Sequence, residues 1–282
     1  MNVRPRLVAL LLLAAVGAAR GEGVDLSPLS VSAQTDVRTA YHSRGKIVEN
    51  RPVNTILDRV ACEAGPLGRF GIWNFDVTSL GGSRQYLHHR AFNEVDVGAF
   101  WHYDWAFDDD GKWKLTNDLL KDWIMLEGYT PEYRAKKTDA TINEWRFEQA
   151  LVNPYVTPFY LLRRGFHPNE WFYTRIGARK GIALPWDLTF TPIFFVETGN
   201  EYHFERRYGR RVDGGRHYHG GAQALNLVLE LAWKATDNIS FFASVHQFDI
   251  VCDDARDAVK AKTTGEARRD LTIASVGIRA KF

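Results

Sequence analysis

The stretch Leu271-Thr-Ile-Ala-Ser-Val-Gly-Ile-Arg-Ala-Lys-Phe282 alternates residue by residue. Phe282, Ala280, Ile278, Val276 and Ala274 fall on one face, and Lys281, Arg279, Gly277 and Ser275 on the other. Successive side chains of a β-strand point to opposite faces. One apolar face backed by one charged, small-residue face suits a wall between hydrocarbon and a wet lumen. Soluble β-sandwiches alternate too, so the decision rests on whether the rest of the chain repeats the pattern.

It does, in twelve segments. The most regular is 222–234, where Leu225, Leu227, Leu229, Leu231 and Trp233 oppose Ala224, Asn226, Val228, Glu230 and Ala232. At 92–105, Val95, Val97, Ala99, Trp101, Tyr103 and Trp105 oppose Glu94, Asp96, Gly98, His102 and Asp104. Similar alternation marks 30–42, 69–80, 142–152, 171–180, 186–198 and 239–250. The segment 53–63 is irregular, with Asp58 and Arg59 on opposite faces. The segment 112–127 could hold a short helix, and Pro158 weakens a paired strand at 155–163. Links after even-numbered segments are short (64–68, 107–111, 153–154, 181–185, 235–238). Links after odd-numbered ones are longer and charged (43–52, 81–91, 128–141, 164–170, 199–221, 251–268). Short turns at one end and long loops at the other distinguish an outer-membrane barrel from a sandwich. Segments of ten to thirteen residues also match a tilted crossing of an apolar band about 25 Å tall. The expectation is all-β: a single up-and-down antiparallel transmembrane barrel of about twelve strands.

The N-terminus adds a compartment. Met1-Asn-Val-Arg4-Pro-Arg6 is basic, Leu7 to Ala15 is apolar, and Val16-Gly-Ala-Ala19 supplies small residues. This is the pattern of a cleaved signal peptide, assigned to 1–21, with the barrel over 22–282. Removing residues 1–19 takes Arg4 and Arg6 from the 36 basic residues and leaves 34 against 34 acidic ones. Such a neutral chain carries no nucleic-acid footprint. Nine Trp, eleven Tyr and seventeen Phe would supply two aromatic girdles. Cys62 and Cys252 fall at opposite ends of the expected barrel, so no disulfide is expected between them.

Tyr41-His-Ser-Arg44-Gly45, followed by Glu49-Asn-Arg51-Pro52-Val53, resembles the Tyr-x-x-Arg-Gly start of a family of uncharacterised bacterial outer-membrane barrels. Phe70-Gly-Ile-Trp73 and Asn93-Glu94-Val95-Asp96 stand where that family has a Gly-rich hairpin and an Asn-Glu-Val-Asp-like strand. Phe282 resembles the terminal signal of such barrels. The likeness covers roughly 35–105 plus Phe282, and residues 112–170 depart from it. It implies an outer-membrane barrel, with lipid around it and the barrel-assembly machinery reading the last strand, but no particular activity.

The expected lumen-lining residues are Asp36, Arg38, Asp76, Glu94, Asp96, Asp104, Glu144, Arg146, Glu148, Arg175, Arg179, Glu197, Asn226, Glu230, Ser244, His246, Ser275, Arg279 and Lys281. Charges of both signs there can set pore selectivity, or pair across strands and fill a narrow bore. The loop from Glu201 through Arg206, Arg207, Arg210 and Arg211 to His217 and His219 reads as a solvated surface loop; an anion or metal site using His203, His217 and His219 is the sharper alternative. His88-His89 is a weaker pair of the same kind. Ser244 and His246 share a strand face, but a hydrolase needs the hydroxyl hydrogen-bonded to the imidazole. The function expected is a narrow porin-like channel or a passive surface-loop binding protein, without enzymatic activity, cofactor or metal. A lipid-modifying barrel hydrolase and a soluble periplasmic β protein are the alternatives.

Overall fold

The computed structural model describes residues 29–44, 46–49, 51–80, 93–127, 141–166, 170–208, 219–253, 256 and 270–282. The signal-peptide segment 1–21, His88-His89 and His217 lie outside them.

Twelve long strands form one closed antiparallel barrel. We number them β1 (Leu29–Arg38), β2 (Val53–Glu63), β3 (Arg69–Ser79), β4 (Asn93–Ala106), β5 (Lys114–Glu127), β6 (Thr141–Val152), β7 (Thr157–Gly165), β8 (Trp171–Arg179), β9 (Leu188–Gly199), β10 (Gly221–Lys234), β11 (Ile239–Ile250) and β12 (Asp270–Lys281). Each pairs with its neighbour in sequence. β1 closes the ring on β12, with Asp36 opposite Gly277 and Gln34 opposite Arg279. Closure satisfies every strand edge within the wall, which hydrocarbon demands of any spanning structure. No helix among the described residues is long and apolar enough to cross a membrane.

The doubtful segments resolve as strands. The stretch 112–127 holds no helix, because both β4 and β6 offer it a ladder. Pro158 sits second from the start of β7, paired with Ala178 of β8 on one side and one residue short of the β6–β7 ladder, which starts at Phe159, on the other; proline is confined to such strand ends and edges.

The outer wall carries the apolar rows. Leu225, Leu227, Leu229, Leu231 and Trp233 of β10 are all exposed on it, as are Val97, Trp101 and Trp105 of β4. Near the short turns the aromatics stack into a belt: Phe70 on Trp101 and Trp101 on Tyr103, with Trp233 on Phe241. Amphipathic rings settle at a membrane–water boundary, and this belt rings the short-turn end of the barrel. Cys62 stands at that end, Cys252 lies just past the other end of the wall, and both are free.

The packed core is inside the barrel, in the half nearer the long links. β1 stops at Arg38, short of the expected 42, and the chain turns into the lumen. A small hairpin, Tyr41–Ser43 against Lys46–Glu49, folds inward from there. Tyr41 packs with Val53, Val77 and Phe75. Beside it, Ala40 joins Phe248, Ile250, Ile273 and Phe204 in a second cluster. Phe204 belongs to α1 (Glu201–Tyr208), which occupies the start of the expected surface loop; His203 and Phe204 are buried there, against Trp171 and Tyr173 of β8 in the case of His203.

The inward hairpin explains one reversal. Trp73, Phe75 and Val77 of β3 share a face with Thr55 and Arg59 of β2 and with Glu94, Asp96 and Gly98 of β4, and this is the inner face. Asp76 therefore stands on the outer wall, between Ile56 and Val95, and does not line the lumen. The alternation of this strand is inverted because the hairpin needs an apolar seat. Gly98 completes it: a Cβ there would lie 2.4 Å from the Trp73 Nε1.

Candidate functional site: an interior crossed by a hairpin

Strand register places Asp36 and Arg38 of β1, Glu94, Asp96 and Asp104 of β4, and Glu144, Arg146 and Glu148 of β6 on the inner face. Arg175 and Arg179 of β8, Glu197 of β9 and Asn226 and Glu230 of β10 join them, with Ser244 and His246 of β11 and Ser275, Arg279 and Lys281 of β12. Pattern reading of the sequence did not single out Asp122, Arg163 and Tyr173, which also face inward. Asp122 was hidden by the ambiguity of 112–127, and Arg163 by the proline-bearing segment.

Near the long loops the interior is tied together by the hairpin. The Tyr41 hydroxyl donates to Glu94 on β4 at 2.9 Å. Arg44 donates to Glu144 on β6, also at 2.9 Å. His42 Nε2 lies 3.3 Å from Glu197 on β9, and Gln223 on β10 donates to the Arg44 carbonyl at 3.2 Å. β6 is five strands from β1 in one direction round the ring, and β10 is three strands away in the other. The hairpin is thus a crossbar moored to well-separated parts of the wall. Burial, with the Glu94 and Asp96 carboxylates alongside, holds the Tyr41 phenol well above its ordinary range, so the hydroxyl stays protonated and donates.

Two of the mooring carboxylates, Glu144 and Glu197, are also held from the wall, as is Asp36. Glu144 accepts from Arg163 as well as Arg44. Glu197 accepts from Tyr173 and, at 3.1 Å, from Arg175, whose Nε also reaches the Tyr173 hydroxyl at 2.6 Å. Asp36 accepts from Thr55 and, at 2.5 Å, from Arg38. Arg146 lies 3.7 Å from both Asp122 and Glu148, and its guanidinium sits over the Trp73 ring. A buried carboxylate is tolerable only when paired and hydrogen-bonded; Glu144, Glu197 and Asp36 are both, while Asp122 is held by ion pairs alone, 3.7 Å from Arg146 and 3.9 Å from Arg163.

Toward the short-turn end the interior is looser. Arg279 makes a two-pronged contact with Glu230 at 2.7 and 2.8 Å and donates to Gln34 at 2.9 Å. His102 lies within 3.1 Å of both Asp104 and Asp118, and Lys114 donates to Asp104 at 2.9 Å. A cavity of about 480 Å³ opens here. Arg59, Arg279, Lys281 and Lys234 line it, with Asp237 as the one acidic side chain.

Ser244 and His246 do not form a nucleophile–base pair. The Ser244 hydroxyl is bonded to that of Ser275 at 2.7 Å, and His246 Nε2 to the Asn226 Oδ1 at 2.8 Å. Among the described residues no group of three or more His, Cys, Asp or Glu side chains is placed to hold a metal ion.

No family model matches the sequence, and no curated protein does. Solved structures match the fold. An outer-membrane channel from Pseudomonas putida F1 superposes with a TM-score of 0.50 at 9% identity, over 90% of this chain and 96% of that one. The NanC porin gives 0.49 at 11% identity, over 89% and 100%, and the KdgM porin 0.46 at 10%, over 90% and 99%. At 9% identity the likeness to the Pseudomonas channel is one of architecture: this chain has the fold of an outer-membrane β-barrel.

Proposed function

We propose that the protein is a narrow outer-membrane channel whose conductance is limited by the crossbar hairpin Tyr41–Glu49. The observation that carries this reading is the character of the interior. Ion pairs line its walls at both ends, Arg44–Glu144 and Arg175–Glu197 at one and Arg279–Glu230 at the other, and one polar-anchored element crosses the bore. A barrel closed only for stability would fill its lumen with side chains; this one keeps a cavity of about 480 Å³ beneath the crossbar. Rings of charged side chains set which solutes pass, and the basic lining of that cavity favours anions at the periplasmic mouth. The residues placed on the inner face serve as the lumen lining in this reading. The fold shared with an outer-membrane channel supports the compartment. Arg4, Arg6 and the Leu7 to Ala15 run support export by a cleaved leader. The motifs at 41–53, 70–73 and 93–96, with Phe282, support kinship with the family of barrels they resemble, and Phe282 supports delivery by the assembly machinery.

The test is conductance of the refolded protein in planar bilayers, with and without the hairpin. Replacing residues 41–49 by a short glycine–serine link is expected to raise single-channel conductance several-fold while the barrel keeps its heat-modifiable migration. Silence from both proteins removes the channel reading.

A further inference from the structure

At the short-turn end of the bore, strand register gathers side chains whose donors are unused. Arg59 of β2, Ser32 of β1 and Lys281 of β12 stand directly across from one another, in one row over three adjacent strands. Gln34 lies in the next inward row, between Leu57 and Arg279. All six line the cavity of about 480 Å³. Arg279 is already answered: it gives two N–H groups to Glu230 and its Nε to the Gln34 oxygen, which leaves the Gln34 NH2 free. Lys234 is answered by Asp237. Arg59 and Lys281 have no carboxylate within ion-pair distance among the described residues, and the Ser32 hydroxyl has no partner among them. Arg59 is positioned without a counter-ion. Its guanidinium sits over the Phe100 ring at 5.9 Å, and Gly71 makes room for that ring, since a Cβ there would lie 2.6 Å from it. The buried Arg59 Nε has no hydrogen-bond partner among the described residues.

The chain's own terminal carboxylate does not fill this role. Phe282 alternates outward, its carbonyl oxygen accepts from the Val31 N–H at 2.8 Å, and it does not line the cavity. Guanidinium and ammonium groups donate hydrogen bonds and accept none, whereas an ionised carboxylate accepts and donates none. A wall of unused donors is therefore complementary to carboxylates, and contacts of this kind are charge-assisted. Arg59 and Lys281 stand on strands two spacings apart, about 10 Å between their backbones. The neutral Ser32 hydroxyl lies between them. Two cations held apart in this way suit an anion whose charge is divided between two ends. A singly charged or compact anion leaves one cation unanswered.

We propose that this row is a binding site for a small aliphatic dicarboxylate, with one carboxylate on Arg59, the other on Lys281, and the Ser32 hydroxyl and Gln34 NH2 donating between them. The bound solute spans β2, β1 and β12, the strands on either side of the closing seam. The site deepens the channel reading and rests on it for the solute's route to the cavity. It makes the bore saturable for one class of solute, where a diffuse positive field only enriches anions according to their charge.

The test is isothermal titration of the refolded full-length protein in mild detergent with succinate, acetate and inorganic phosphate, all at one ionic strength. Succinate is expected to bind saturably, and acetate and phosphate much more weakly. Arg59→Gln and Lys281→Gln should each weaken succinate binding about tenfold or more, the worth of a hydrogen bond to a charged group. Ser32→Glu keeps both cations, places a carboxylate between them and should abolish binding. Lys112→Gln removes a cation from a short turn away from the cavity and should leave binding unchanged. Heat-modifiable migration checks that each variant barrel is closed. Wild-type protein without saturable succinate binding overturns the proposal. So does acetate or phosphate binding as tightly as succinate, or Lys112→Gln weakening binding as much as Arg59→Gln. Succinate binding by a protein silent in bilayers would remove the channel reading and leave the site; conduction without succinate binding would do the reverse.

Discussion

Glu144 shows how a single carboxylate can serve both wall and crossbar. It is fully buried, accepts from Arg44 of the hairpin and from Arg163 of β7, and has Asp122 opposite on β5 and Arg146 two residues along its own strand. Removing one partner of a buried ion pair leaves an uncompensated charge, at a cost of about 3–5 kcal/mol. Glu144→Ala, which strands two guanidinium groups, is expected to lie in that range by equilibrium urea unfolding in detergent. Arg44→Ala is milder, because Glu144 keeps Arg163; the loss expected is about 1.5–3 kcal/mol, that of a hydrogen bond to a charged group. The two variants should part in bilayers. Arg44→Ala frees the crossbar from β6 and should raise conductance, and an unchanged conductance would show that the hairpin is not the constriction.

Among the elements, β10 and β3 show what alternation can and cannot reveal. β10 has Leu at four successive outward positions, so only one orientation keeps leucines out of a polar bore. Its lipid face is testable: Leu227→Lys, near the middle of the strand, is expected to cost about 2–4 kcal/mol. Val228→Thr, one residue along and inward beside His246, should change stability little. Equal losses in the two variants would contradict the placement. In β3, Trp73, Phe75 and Val77 against Asn74, Asp76 and Thr78 reads as lipid against lumen by the same rule, and the reading inverts. The strand itself was legible; its facing depended on a partner about thirty residues upstream, the hairpin that needs Val77 and Phe75 as a seat. The same contact made the hairpin illegible, since 43–52 is charged and reads as a surface loop. In α1, Glu201-Tyr-His-Phe-Glu-Arg-Arg-Tyr208 carries too little apolar character to announce a helix, and only the adjacent His203 and Phe204 are seen to be buried.

At the scale of the whole molecule, strand count, loop sorting and closure followed from alternation and turn chemistry, because a barrel wall is a local pattern repeated twelve times. The charge distribution along the bore did not, because it depends on which ions are cancelled by neighbours across strands. Near the long loops, arginines and carboxylates neutralise each other: Arg44 and Arg163 against Glu144 and Asp122, and Arg175 against Glu197. At the periplasmic mouth, Glu230 answers Arg279 and Asp237 answers Lys234, but Arg59 and Lys281 have no carboxylate within ion-pair distance among the described residues. The uncompensated field along the wall of that cavity is positive. A low-dielectric wall focuses such a field and concentrates counter-ions of the opposite sign. The wild-type channel is therefore expected to favour chloride over potassium in a salt gradient, more strongly at low ionic strength, where the screening length grows from about 10 Å at 0.1 M to about 30 Å at 0.01 M. Arg59→Gln with Lys281→Gln should move the reversal potential toward cation preference while leaving the crossbar and its conductance limit in place. Arg175→Gln should weaken the mooring of Glu197 and shift selectivity less than the double variant does. If Arg175→Gln shifts it more, selectivity is set at the crossbar and the periplasmic mouth is only a vestibule.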